Sequence, residues 1–91
     1  MSVKVRIPTQ LRALAGGAGE VQVEGSTVGE ALKALDAAHP GFAERLFDES
    51  GNLRRFVNVF VGEEDVRFLE GLATPVQPGL VVSVVPAVAG G

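Results

Sequence analysis

The stretch Arg55-Phe56-Val57-Asn58-Val59-Phe60-Val61 decides the fold. Val57, Val59 and Val61 alternate with Phe56, Asn58 and Phe60, the period of two that sends successive side chains to opposite faces of a strand. Its β-branched and aromatic residues suit a pleated, half-buried surface. The spacing predicts a strand from Arg55 to Val61 with the Val row turned toward a core. Phe56 and Phe60 then lie on the other face of the sheet. A Val row of this kind needs a second layer to cover it, and the chain has to supply one.

Downstream, Gly62-Glu63-Glu64-Asp65 is a charged turn and Val66-Arg67-Phe68 reads as a short edge strand. Leu69 to Gly79 is irregular, interrupted by Pro75 and Pro78. Leu80 to Val85 is a last strand, with Val82 and Val84 inward and Ser83 and Val85 outward. Upstream, Val3, Val5 and Ile7 alternate with Lys4 and Arg6 until Pro8, which cannot donate to a ladder, stops the strand. A loop carrying Leu11, Leu14 and the cluster Gly16-Gly17-Ala18-Gly19 leads into a second alternating run, Glu20 to Glu24, as in a long-looped antiparallel hairpin.

The covering layer is a helix. Thr27 is placed to cap the amide of Glu30, and the Glu30 side chain to reach back to the amide of Thr27. Val28, Ala31, Leu32, Leu35 and Ala38 form an apolar stripe, with Glu30, Lys33 and Asp36 outward. Pro40 ends the helix, and Phe42, Leu46 and Phe47 form one more short turn. The element order predicts one main helix laid across a mixed sheet of four or five strands, the first and last strands being parallel neighbours.

Composition narrows the chemistry. The chain has 91 residues, of which 46% are hydrophobic and 21% charged, the balance of a globular domain with one core. There is no Cys, which excludes disulfides, thiolate metal sites and Cys nucleophiles. The net charge of −3 argues against a nucleic-acid partner. No apolar run approaches the ~20 residues of a membrane span, and no export signal is visible, so the expectation is a cytoplasmic chain with no membrane partner. Gly16 to Gly19 lacks the Lys-Ser or Lys-Thr of a phosphate loop and reads as a bend. Glu63-Glu64-Asp65 does not converge on one point and reads as a solvated turn. His39 is a helix-terminus residue without a catalytic neighbour. No catalytic residue and no metal site is expected.

The remaining feature is the end, Pro86-Ala87-Val88-Ala89-Gly90-Gly91. Six extended residues reach ~20 Å, and two residues without side chains before a free carboxylate suit a narrow channel. Together with the strand Arg55 to Val61 and the blocks Glu64-Asp65-Val66-Arg67-Phe68 and Gly71-Leu72-Ala73-Thr74, this ending resembles the ubiquitin-like β-grasp sulfur carriers of the MoaD/ThiS family, nearest their CysO branch. The resemblance covers essentially the whole chain.

It implies an α+β, ubiquitin-like β-grasp domain over residues 1–85 and a flexible tail over residues 86–91. It further implies a carrier rather than an enzyme. Gly91 would be the site of adenylation and thiocarboxylate formation, with Gly90, Ala89, Val88 and Ala87 threading a partner's active site. No cofactor is bound by the carrier, and ATP is used by the activating enzyme. The partners so implied are an E1-like adenylyltransferase/sulfurtransferase and a sulfur-accepting enzyme, either a pyridoxal-phosphate-dependent cysteine synthase or a thiosugar or thiazole synthase. A metalloprotease that releases the product completes the set. The rival readings are a protein modifier conjugated through Gly91, a non-covalent ubiquitin-like adaptor, and a subunit whose tail stays inserted in a partner. Phe60, Val85 and Phe56 form the expected docking patch near the tail, unless the loop Leu69 to Gly79 covers the Phe side chains. Arg54, Arg55 and Arg67 are expected on a solvated surface.

Overall fold

A computed structural model describes residues 2–55 and 57–86 of the chain. Five strands and one main helix carry the architecture: β1 (Ser2–Arg6), β2 (Glu20–Glu24), α1 (Val28–Ala38), a short α2 (Phe42–Leu46), β3 (Val57–Val61), β4 (Glu64–Asp65) and β5 (Val81–Pro86). The sheet order is β2-β1-β5-β3-β4. β1 and β5 are parallel, with Val5 opposite Val82. β1–β2, β3–β5 and β3–β4 are antiparallel. The last strand to be made is therefore the central one, and the chain leaves the sheet from its middle.

The inward rows meet as expected. Val3, Val5, Val57, Val59, Val82 and Val84 are buried against Val28, Ala31, Leu32 and Leu35 of α1. Phe42 and Leu46 of α2, with Val66 and Val76, close the ends of this core. Each fully buried Val or Leu contributes about 1.5–3 kcal/mol relative to exposure, so the sheet–helix seam is what holds the fold.

Several local expectations are corrected. Ala38 is exposed; the buried stripe ends at Leu35, with Ala34 packed partly against the core. Asp36 turns onto the start of α2, its Oδ1 accepting from the amides of Gly41 (3.2 Å) and Ala43 (2.9 Å). Thr27 Oγ1 caps the Glu30 amide at 3.2 Å. The Glu30 carboxylate also takes Ser26, which offers both its amide (2.9 Å) and its hydroxyl (2.8 Å) to one oxygen, with the expected Thr27 amide a lesser partner. Those bonds hold the Glu30 pKa below the usual glutamate range, the Ser26 amide being the largest cause.

The loop after β1 contains a 3₁₀ helix, Thr9–Ala15, rather than plain coil. Arg55 belongs to the turn before β3, because the Val57 amide bonds the Arg54 carbonyl at 3.0 Å. Val66–Phe68 is a 3₁₀ helix and not an edge strand. Asp65 Oδ1 caps its Arg67 amide at 2.9 Å, and the helical turn buries Val66 while leaving Phe68 exposed. The actual edge strand is β4, which covers only Phe60 and Val61.

Candidate functional site

β5 is the central strand, and its last residue, Pro86, is paired opposite Val57 of β3, which fixes where the tail begins. Gly91, Gly90, Ala89, Val88 and Ala87 lie outside the described residues, as does Phe56. The surface around the tail root is described, and it is built by register. Across the open face of the sheet one row runs Glu20, Arg6, Ser83, Phe60, Asp65. The adjacent pair nearer the tail is Asn58 and Val85.

Phe60 and Val85 are therefore diagonal neighbours on one face, a spacing of ~7–8 Å that an aromatic ring can bridge. Val85 is 44% exposed, one of three large apolar side chains so exposed among the described residues, and Phe60 is half-buried. A cleft of about 320 Å³ runs beside them, lined by Arg6, Pro8, Arg12, Ser83 and Val85. Arg12 Nε donates to the Ile7 carbonyl at 3.1 Å and is thereby held at the cleft. Arg6 lies 3.8 Å from Glu20, both well exposed, a pair too solvated to tie either down. The surface thus offers an apolar centre with charge at its margin, the layout of a protein–protein contact.

Arg55 and Arg67 are exposed, as a solvated surface requires, and Arg54 is half-buried, but Arg54 and Arg67 also bond the backbone. Arg67 reaches across the turn before β3: one Nη donates to Asn58 Oδ1 at 2.6 Å, the other to the carbonyls of Val57 (2.7 Å), Arg54 (2.9 Å) and Arg55 (3.3 Å). It satisfies the edge of β3 where β4 has already ended, which also blocks pairing with a foreign strand. Arg54 Nε donates to the Glu44 carbonyl at 3.0 Å. Nothing in the sequence pattern marks these partners, which stand ten or so positions apart. His39 serves through its backbone, its amide bonding the Leu35 carbonyl at 2.8 Å to close α1. Glu64 and Asp65 are consecutive strand residues and point to opposite faces, with Asp65 occupied as a cap.

A sheet of this order under one helix, with the chain leaving from the central strand, is the ubiquitin-like β-grasp, and the comparisons agree. The ThiS family model matches residues 5–91, through the final glycine. The chain belongs to the ThiS family. It is 50% identical over 93 residues to the sulfur carrier protein CysO of Mycobacterium tuberculosis, covering all of both chains. A chain in the crystal structure of the Amycolatopsis orientalis BexX/CysO complex superposes with a TM-score of 0.91 at 45% identity, covering 98% of this chain and 99% of that one. The small archaeal modifier protein 3 of Haloferax volcanii is 44% identical over 66 residues, 72% of this chain and 71% of its own. Among the described residues no helix is long and apolar enough to cross a membrane.

Proposed function

We propose that this chain carries sulfur as a thiocarboxylate on Gly91 and is a co-substrate of other enzymes rather than a catalyst. The observation that supports this most is the full-length likeness to a protein named as a sulfur carrier, running through Gly90-Gly91 at the end of a tail that leaves the central strand. A carboxylate is a poor electrophile, so activation has to come first. A Gly91 carboxylate oxygen attacks the α-phosphorus of ATP on the activating enzyme, and pyrophosphate leaves. A sulfur donor such as hydrosulfide then attacks the acyl carbon and expels AMP, leaving the thiocarboxylate. The absence of Cβ atoms at Gly90 and Gly91 lets the carboxylate approach phosphorus along a narrow channel.

The body docks these enzymes through Phe60, Val85 and Phe56, while Ala87 to Gly90 thread the active site. The structure of a similar protein with BexX supports an interface of this general kind. The sulfur goes to cysteine, through a pyridoxal-phosphate enzyme and a releasing metalloprotease, or to another sulfur-containing metabolite. Likeness to an archaeal modifier favours one second reading, conjugation of Gly91 to lysine. Purified chain incubated with its activating enzyme, ATP and sulfide separates the cases. The carrier reading expects pyrophosphate release followed by a Gly91 thiocarboxylate. An adenylate that passes only to lysine amines, yielding conjugates, would replace it with the modifier reading.

A further inference from the structure

Pro8 opens a gap in the sheet. It has no amide to donate and follows the end of β1, so the pairing of β1 with β5 stops at Arg6 opposite Ser83. β5 runs on through Val84 and Val85 to Pro86, while the chain after Pro8 turns away into the 3₁₀ helix Thr9–Ala15. The space left between them is the cleft of about 320 Å³ at the tail root. Ile7, Pro8, Val84 and Val85 give it an apolar wall, and Arg6 and Arg12 supply its charge.

Arg12 is held there without a counter-ion. Its Nε donates to the Ile7 carbonyl (3.1 Å), and its guanidinium lies over Gly19, where a Cβ would stand 3.4 Å from Cζ. The residue is half-buried, yet among the described residues no carboxylate pairs with it, and Glu20 takes Arg6 instead at 3.8 Å. Neither Nη bonds a described residue, and no polar side-chain atom among them is buried without a partner, so both Nη groups open to solvent. A guanidinium that has lost part of its water and faces no anion is a site for one, and its planar fork fits a carboxylate.

Such an anion lies within the chain's own reach. Ala87-Val88-Ala89-Gly90-Gly91 follow Pro86, and none has a charged or hydrogen-bonding side chain. Their one charge is the Gly91 carboxylate that the proposed function requires. Fully extended, these residues span ~17 Å. Val85, on the wall of the same cleft as Arg12, stands one residue before Pro86, so the return is short. Gly90 and Gly91 carry no Cβ and take either sign of φ, which a reversal of the chain needs. The cleft has the volume of about ten waters in the liquid, ample for two residues without side chains. An end tethered this closely meets Arg12 at an effective concentration in the ~mM range, above that of a dilute partner's carboxylate.

We infer that Arg12, with Arg6 beside it, is the resting site of the chain's own C-terminal carboxylate. Docked there, the tail covers Val85 and Pro8 and withholds both Gly91 and the docking face until a partner displaces it. The inference takes from the proposed function the free carboxylate alone, and not its conversion to a thiocarboxylate.

The test is NMR of the isotope-labelled full chain at low salt. The heteronuclear NOE of the Gly91 amide should be positive, and it should fall to the negative value of a free end in Arg12→Gln and in high KCl. Exchange of that amide with solvent should be about threefold faster in Arg12→Gln than in the wild type, the protection of an end docked about two-thirds of the time. Arg45→Gln removes an equal charge at an exposed position elsewhere and should change neither reading. Arg12→Gln also removes the bond to Ile7, so the second form tested is the full chain with Gly91 as its carboxamide and Arg12 intact. There the Gly91 NOE should fall and the Arg12 Nε–Hε resonance should shift from its position in the free acid. A negative Gly91 NOE in the wild type, an Arg12 resonance indifferent to amidation, or a carboxamide tail that stays ordered would each overturn the inference. So would ordering that grows with protein concentration, which would give the cleft to a second copy's tail. Failure of the activating enzyme to release pyrophosphate, beside a positive and Arg12-dependent NOE, would overturn the proposed activation and leave this site standing.

Discussion

Replacing Arg67 with Ala removes the four hydrogen bonds its guanidinium makes to the turn before β3 and to the start of that strand. A bond to a charged group contributes about 1.5–3 kcal/mol, so simple addition overstates the loss. The carbonyls of Arg54 and Arg55 stay within reach of water once the guanidinium is gone, and so does Asn58. The bond to the Val57 carbonyl is part-buried, and that carbonyl takes most of the penalty. The structure therefore predicts a loss of about 2–3 kcal/mol, dominated by one orphaned carbonyl. For a chain of this size that is a fall in Tm of roughly 10–20 °C, read by circular dichroism. Arg67→Lys should recover less than half, because an ammonium lacks the planar fork that spans several acceptors. A fall under about 2 °C for Arg67→Ala would refute the reasoning, since water would then have replaced the clasp without cost.

Other expectations concern the helix start, a close backbone approach and the docking face. Because the Glu30 pKa is depressed in the folded chain, its contribution is present above the ordinary value of 4.5 and is lost as pH falls through the lower folded value. The Tm difference between wild type and Glu30→Gln should be constant at neutral pH and close below 4.5, which a pH series of melts checks. A Cβ at Gly25 would stand 2.8 Å from the Ala31 amide nitrogen, so Gly25→Ala should destabilise by about 1–3 kcal/mol in urea unfolding. Val85→Arg should leave Tm near the wild-type value, the site being exposed. It should raise the KM for the activating enzyme about tenfold in the pyrophosphate assay.

The parts of the fold written in the sequence are those whose periodicity faces a common core. Val57 and Val59 of β3 and the stripe Val28, Ala31, Leu32, Leu35 each announce one buried side, and the structure joins them. The parallel pairing of β1 with β5 was legible because a helix lies between two strands with matching inward rows. The misreadings arise where a side chain competes for the backbone. Val66-Arg67-Phe68 looks extended by residue type, yet the Asp65 cap winds it into a 3₁₀ turn. At Glu30 the pattern named the Thr27 amide but missed Ser26, whose two donors converge on one carboxylate oxygen. The Arg67 clasp joins residues 9 to 13 positions apart, a relation no local pattern encodes. The chemistry proposed for the tail rests on sequence alone, on the side chains that Gly90-Gly91 lack and on family likeness. Phe60 and Val85 follow from counting register, while Phe68 as an exposed knob required the three-dimensional turn.

The central claim is that Gly91 bears sulfur, and intact mass spectrometry of the protein purified gently from its native host tests it most directly, beside a Gly91-deleted control. A species heavier than the encoded chain by the difference between one sulfur and one oxygen, absent from the control, is the predicted result. Finding only the unmodified carboxylate, and no sulfur-bearing form after addition of ATP, the activating enzyme and sulfide, would contradict it.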